Sequence, residues 1–344
     1  MQVPEWLSEH VSWARPLTFA YIVLGCFGGA GHFAWRHRRR GGWRQYFGSN
    51  AVRQSSGVST WHIGPDALLL FRAGVFVGSF WTLMQSSFYE GPQCLRFFTV
   101  WNFIAFVAFF ALGTALSCEC CREVGAMRRT PSALHRLAAA AHHLLLEVQL
   151  PMSAMITLVV WLVLYPYDVL NGEPAFRLAG YTNLTSLTMH VGNFVFMLIE
   201  FGLDALHLTP GHFGLVLFWG MLYALFNGLQ AYWTHDTVYF FMDFTLAKTP
   251  FVALGLTVLM FTVFAGACAL SRLKWRLVLG QRDHPADPHR ADVAVCSCSD
   301  LDDDEEAVML DATARRSGGV EAATAGDDGA GADGGDTAYQ LFVR

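Results

Sequence analysis

Charged residues are scarce in this chain: Asp, Glu, Lys and Arg make up 15% of its 344 residues, against 53% hydrophobic ones. That balance excludes an ordinary soluble domain and points to a polytopic membrane protein. Dyad alternation of polar and apolar residues is missing as well, which excludes a closed β-barrel. The cysteines do not form paired Cys-x-x-Cys motifs and no ligating histidine stands beside Cys118, Cys120 and Cys121, so zinc is not expected; most lie in or beside the membrane on the predicted cytoplasmic, reducing side, so a disulfide framework is not expected either. A basic region ahead of the first apolar run is also lacking. Glu5 and Glu9 precede that run and its arginines follow it, so it reads as an uncleaved anchor and not as a signal peptide. The Asp-Arg-Tyr and Asn-Pro-x-x-Tyr landmarks of seven-helix receptors are absent.

What is present is a set of seven apolar runs, at about 16–35, 67–88, 97–117, 151–167, 186–206, 211–232 and 250–271. Each approaches the ~20 residues that a helix needs to cross a bilayer. The expected fold is therefore all-α, a polytopic transmembrane bundle. Residues 1–35 form the N-terminal segment and first span, 36–66 a basic loop, 67–271 a six-span core and 283–344 a tail. Basic residues predict the orientation. Arg36, Arg38, Arg39, Arg40, Arg44 and Arg53 follow the first span, Arg122, Arg128, Arg129 and Arg136 the third, and Arg272, Lys274, Arg276 and Arg282 the seventh. The other side receives only Arg15, Arg96, Arg177 and Lys248. An N-out, C-in protein of the endoplasmic reticulum or plasma membrane is expected.

The tail is acidic from Asp300 to Glu306 and mostly Gly, Ala and Asp over 318–336, a composition that cannot bury enough apolar surface to fold. It is expected to be disordered and to offer a surface to a cytoplasmic partner. Tyr339-Gln340-Leu341-Phe342 resembles a tyrosine-based sorting signal. Cys118, Cys120 and Cys121 are read as palmitoylated or as reduced interfacial thiols. Residues 131–150, begun by Pro131 and Ser132, read as an interfacial helix with His135, His142 and His143 on a solvated or headgroup-level face. Asn183-Leu184-Thr185 is a glycosylation sequon, expected to be unused so close to the fifth span.

The segment from Thr188 to His207 combines a spanning length with His190, Asn193, Glu200, Asp204 and His207. On an unbroken helix these residues form one stripe, which must face the bundle or a wet cavity. Orientation then brings polar groups to one depth. Thr82 and Gln85, Thr99 and Asn102, His190 and Asn193, and Asn227, Gln230 and Thr234 all fall in the outer halves of their spans, while the inner halves look mainly apolar apart from Glu200 and Asp204. A polar pocket in the outer leaflet is expected. The plain structural reading is interhelical hydrogen bonding, at about 0.6 kcal/mol per group.

Chemistry in such a pocket would fall to His190 as general base and Thr99 as nucleophile, with Asn102, Asn193, Asn227 and Gln230 polarising a carbonyl or positioning a chain. No carboxylate is placed to orient His190, since Glu200 lies about 15 Å along the axis. No metal or organic cofactor is required, and no nucleic-acid partner is expected.

Several stretches resemble the androgen-induced-gene family of membrane proteins: Arg96-Phe97-Phe98-Thr99-Val100-Trp101-Asn102-Phe103, Trp161 to Asp168, Met189-His190 with Met197-Leu198-Ile199-Glu200, and Val238-Tyr239 to Asp243. The resemblance covers about 67–271. It implies a six-span fatty-acid-ester hydrolase with an intramembrane threonine and histidine, here Thr99 and His190, acting on membrane lipid esters. The related rolling-stone proteins are similar at Thr99-x-Trp101 and at His190-x-x-Asn193, and imply a non-enzymatic role in adhesion, fusion or scaffolding. The chain departs from the hydrolases in its extra first span, in lacking an in-register histidine pair (His235 is displaced), and in its tail. The first and last departures are expected to leave the pocket untouched. A proton-coupled transporter is the third reading, although no span looks broken at mid-membrane by Gly or Pro.

Overall fold

An apolar run inside a bilayer can satisfy its backbone only by closing its own hydrogen bonds, which makes each of the seven runs a helix. The computed structural model describes residues 12–40, 55, 64–120, 132–171 and 180–279, all within one compact unit, Met1–Asp283. Helix α1 is Ala14–Arg40, α2 is Pro65–Glu90 and α3 is Phe98–Cys120, with a 3₁₀ stretch, Gly91–Arg96, between the last two. Helix α4, Ala133–Val159, runs through a π turn at Val160–Leu164 into α5, Tyr165–Leu170. Helix α6, Leu184–Leu187, likewise passes a π turn at Thr188–Gly192 to become α7, Asn193–Leu203. A 3₁₀ turn, Pro210–His212, opens α8, Phe213–Thr234, and α9 is Thr249–Leu279.

Joined through their turns, these elements give seven helices long and apolar enough to cross a membrane: Ala14–Arg38, Pro65–Arg96, Phe98–Cys118, Ala133–Leu170, Leu184–Leu203, Pro210–Thr234 and Thr249–Leu277. The protein is an all-α, multi-pass helical bundle. No β-strand occurs among the described residues. Most of the basic loop, Cys121 and the acidic tail with Cys296, Cys298 and the Tyr339 motif lie outside the described residues; Cys118 is exposed at the end of α3.

Helix α3 is the hub. Its Phe103, Phe106, Phe109 and Phe110 are buried against Leu146, Leu150 and Met152 of α4 in a core that also takes Met197 and Phe201 of α7. Aromatic side chains carry most of this packing because each covers a large area in a rigid shape.

The extra span, α1, docks on α8 through glycines. A Cβ on Gly29 would lie 2.6 Å from the Gly214 carbonyl oxygen, and one on Gly214 would lie 2.6 Å from that of Gly29, so the two backbones touch. Such close approach is what small residues permit between membrane helices, where apolar burial alone gives little drive to associate. Gly29→Leu is expected to detach α1. Crosslinking between cysteines placed on α1 and α8 should fall to background; undiminished crosslinking would show that the glycine contact is dispensable.

Residues 133–150 differ from the expected interfacial helix. They form the first two-thirds of α4, capped by Ser132, whose hydroxyl accepts the His135 N–H at 3.3 Å, and the helix continues through Pro151. His142 and His143 are fully buried, not solvated. The physical reason is tertiary: α4 packs against α3, α7, α8 and α9 along its length, so the face carrying these histidines is covered. Pro151 lies inside α4 without breaking it, as expected of a chain in which no span is broken by Gly or Pro.

Candidate functional site

Two places collect functional groups. The first is a cavity that starts at the N-terminus of α3 and runs inward between α1, α3, α4, α8 and α9, with a volume of about 100 Å³. Its walls are mostly aliphatic: Ile22, Met155, Val159, Met221, Leu256 and Met260. Among the described residues, only Thr99, Tyr223, Tyr239 and Thr257 bring hydroxyls to it. Ile22 belongs to α1, so the extra span is part of the wall, which corrects the expectation that it leaves the pocket untouched.

Thr99 is 8% exposed and faces this space. A threonine in a helix normally returns its proton to the carbonyl four residues back. Thr18, Thr82, Thr114, Thr188, Thr257 and Thr262 all do so. For Thr99 that carbonyl belongs to Leu95, in the preceding 3₁₀ stretch, where it accepts Trp101 Nε1 at 2.8 Å. The Thr99 hydroxyl has no hydrogen bond of its own among the described residues, an arrangement that helical spacing makes the exception for a threonine.

Around it the neighbours are fixed. The Tyr239 hydroxyl accepts the Phe98 N–H at 3.1 Å, and the Tyr223 hydroxyl donates to the Arg96 carbonyl at 2.7 Å. Asn227, fully buried beside the Tyr223 hydroxyl, has neither amide atom hydrogen-bonded. Depth in the sequence already groups Tyr223 and Tyr239 with Thr99; that their hydroxyls reach α3, from α8 and from the connection before α9, is set by the tertiary structure.

The other expected pocket residues are elsewhere. His190, Asn102, Asn193, Asn227 and Gln230 do not line the cavity. Asn102 donates to the Phe98 carbonyl at 3.0 Å and accepts Trp219 Nε1 at 3.1 Å, a tie between α3 and α8. Gln230 bonds to Thr234 near Asp236, beside the Arg96–Asp236 ion pair. Thr82 bonds to Gly78, and Gln85 accepts Thr185 at 3.4 Å. Asn183 caps α6 by accepting the Ser186 N–H at 2.8 Å. The pocket is therefore apolar with a few hydroxyls, not the polar chamber expected from depth alone.

His190 sits in the π turn before α7. The turn closes with the Asn193 N–H on the Thr188 carbonyl, five residues back. Thr157 of α4 donates to the His190 carbonyl at 2.6 Å, and Asn193 Oδ1 accepts the Phe194 N–H at 2.7 Å, so side chains hold the irregular turn. Nδ1 of His190 is buried without a partner. This turn packs against both α3 and α4. Turns of this kind are frequent at functional sites.

The same irregularity breaks the expected stripe. One extra residue in the turn rotates the helix beyond it by about 100°, and α7 ends at Leu203 with Asp204 extended at ψ 166°. Asp204 and His207 thus lie beyond the helix.

At the opposite end from Thr99, the spans are not apolar. Arg72 of α2 reaches Glu200 of α7 with Nη2 at 2.5 Å and Nε at 2.8 Å; both side chains are at most 1% exposed. Arg72 Nη1 also donates to Ser117 Oγ at 2.7 Å and to the Ser55 carbonyl at 2.8 Å. Lys274 of α9 holds Asp204 Oδ1 at 3.2 Å and caps the end of α7 by donating to the carbonyls of Phe201 and Leu206. Glu147 of α4 receives His212 Nδ1 at 2.6 Å and the Thr209 N–H at 3.1 Å. Burial pushes the Asp204 carboxyl up, against the lowering field of Lys274, and pushes His207 down to about 4. Glycine makes room here: a Cβ on Gly113 would stand 2.8 Å from His142 Nε2 and 3.3 Å from Arg72 Cδ. The available signal was Arg72 itself, a lone arginine inside an apolar run.

The ion pairs of this second cluster join α2 to α7, α9 to the segment after α7, and α4 to the turn that opens α8, and no group of three or more metal-ligating side chains is poised for a metal ion among the described residues. No family model, no curated protein and no solved structure matches this chain.

Proposed function

We propose that this multi-pass membrane protein hydrolyses a lipid ester within the bilayer, with the acyl chain in the cavity, Thr99 as nucleophile and His190 as base. One observation carries the reading: the Thr99 hydroxyl is unbonded on the wall of an otherwise aliphatic cavity. A hydroxyl left free where the backbone normally claims it is available for attack. The resemblance to the androgen-induced-gene hydrolases at Thr99 and His190 points the same way.

In the reaction, Thr99 Oγ1 attacks the acyl carbonyl carbon and its proton passes to His190. The alkoxy carbon–oxygen bond then breaks, and the alcohol leaves with that proton. Water attacks the acyl-threonine, restores the hydroxyl and releases the acid. The aliphatic walls hold the chain, while His190, with Nδ1 unbonded in a turn packed on α3, is the imidazole assigned the proton transfer.

Labelling of the detergent-purified protein with a fluorophosphonate tests the assignment. Wild type should label, Thr99→Ala should not, and His190→Ala should label slowly. Equal labelling of wild type and Thr99→Ala, or none of folded wild type, would overturn it in favour of a non-enzymatic role.

A further inference from the structure

The cavity ends on the N-terminus of a long helix. Phe97 is extended, with ψ 133°, and its carbonyl accepts the first bonds of α3, from Val100 and Trp101. Phe98 and Thr99 are therefore the first two helical residues, whose N–H groups have no acceptor within their own helix. Tyr239 takes the Phe98 N–H. The two carbonyls just upstream are occupied, Leu95 by Trp101 and Arg96 by Tyr223. No backbone carbonyl among the described residues accepts the Thr99 N–H, which stands at the positive end of a 23-residue helix. The same residue supplies an unbonded hydroxyl, more than nine-tenths buried, on the cavity wall. No acidic side chain lines the cavity among the described residues.

We infer that this cavity binds a single-chain fatty acid, with the carboxyl head seated on the Thr99 N–H and hydroxyl and the chain running inward to Gly220. Helix N-termini bind carboxylates and phosphates because the N–H groups and the dipole act together. A phosphate head does not suit this seat, which has one free N–H and one hydroxyl and no basic side chain on its wall. The inward reach fits a medium chain: the wall along α4 extends from Met155 to Leu164, roughly 13 Å at 1.5 Å per residue. At the far end Gly220 packs on Met260, where a Cβ would stand 3.0 Å from Cε and 3.3 Å from Sδ, so a larger side chain there must displace Met260, itself part of the cavity wall. This assignment rests on the same cavity as the hydrolase reading but does not need Thr99 to act as a nucleophile.

Equilibrium binding of tritiated dodecanoate to the purified full-length protein, with dodecan-1-ol as competitor, tests it. Wild type should bind dodecanoate saturably, and the alcohol should compete at least about tenfold more weakly. Thr99→Val, which keeps shape and N–H but loses the hydroxyl, should weaken binding about tenfold, the scale of one hydrogen bond to a charged group. Gly220→Leu should abolish dodecanoate binding and leave hexanoate binding in place. Equal competition by acid and alcohol, or unchanged affinity in both variants, would overturn the carboxyl seat. Acid binding without any ester hydrolysis would overturn the hydrolase reading and leave this site standing. Hydrolysis without preference for acid over alcohol would do the reverse.

Discussion

Arg72→Met is expected to destabilise the bundle by about 3–5 kcal/mol, the scale seen when one member of a buried ion pair is removed. Glu200 would keep its charge in a site where it is fully buried and where Oε2 already lacks a partner. Ser117 and the Ser55 carbonyl would lose their donor as well. The Arg72→Met/Glu200→Met double variant should recover most of that loss, because replacing both ions with apolar side chains removes the desolvation penalty together with the attraction. Thermal unfolding in detergent, followed by size-exclusion, measures both. A single variant as stable as wild type would show that the pair contributes nothing. A double variant no better than the single would show that Arg72 acts through its contacts to α3 and Ser55, not through Glu200.

The second large effect is on turnover. If Thr99 is the nucleophile, Thr99→Ala should lower kcat for a medium-chain ester by about a thousandfold or more, since a group that forms the covalent intermediate has no substitute. Thr99→Ser should retain measurable activity, because it preserves the oxygen while giving up one methyl contact with the cavity. His190→Gln should lower kcat and remove the rise of rate with pH that a general base confers. Rates of Thr99→Ala within a few-fold of wild type would exclude the covalent route. A flat pH profile unchanged by His190→Gln would remove His190 from the chemistry even if Thr99 survived.

Much of the architecture was readable from the chain. Apolar length set seven helices, because an exposed peptide group inside hydrocarbon leaves few alternatives, and all seven are found. The special standing of Thr99 was partly readable, since it begins a span. Its free hydroxyl was not. That depends on the 3₁₀ stretch and the extended Phe97, which place the Leu95 carbonyl outside α3, a backbone geometry that no spacing rule announces. Depth likewise grouped Asn102, Asn193, Asn227 and Gln230 with Thr99, yet depth says nothing about which way a side chain turns. Asn102 turns to Trp219 and Asn193 to its own backbone.

The charged end shows the same division from the other side. Arg72, Glu147, Glu200, Asp204 and Lys274 were each visible as costly residues in or beside apolar runs. Their partners were not, because every pair joins different helices: Arg72 to Glu200 lies 128 residues apart in the chain and Lys274 to Asp204 70 apart. The stripe along 188–207 failed for a local reason with a tertiary cause, as Thr157 from α4 helps to hold a π turn that rotates the register. By itself the sequence determined the membrane class, the number of spans and the scarcity of charge within them, because transfer of a helix into hydrocarbon is nearly a sum over its own residues. Only the tertiary structure decided which hydroxyl stays free, which ions meet and where the cavity ends, because those depend on the contacts each helix makes with its neighbours.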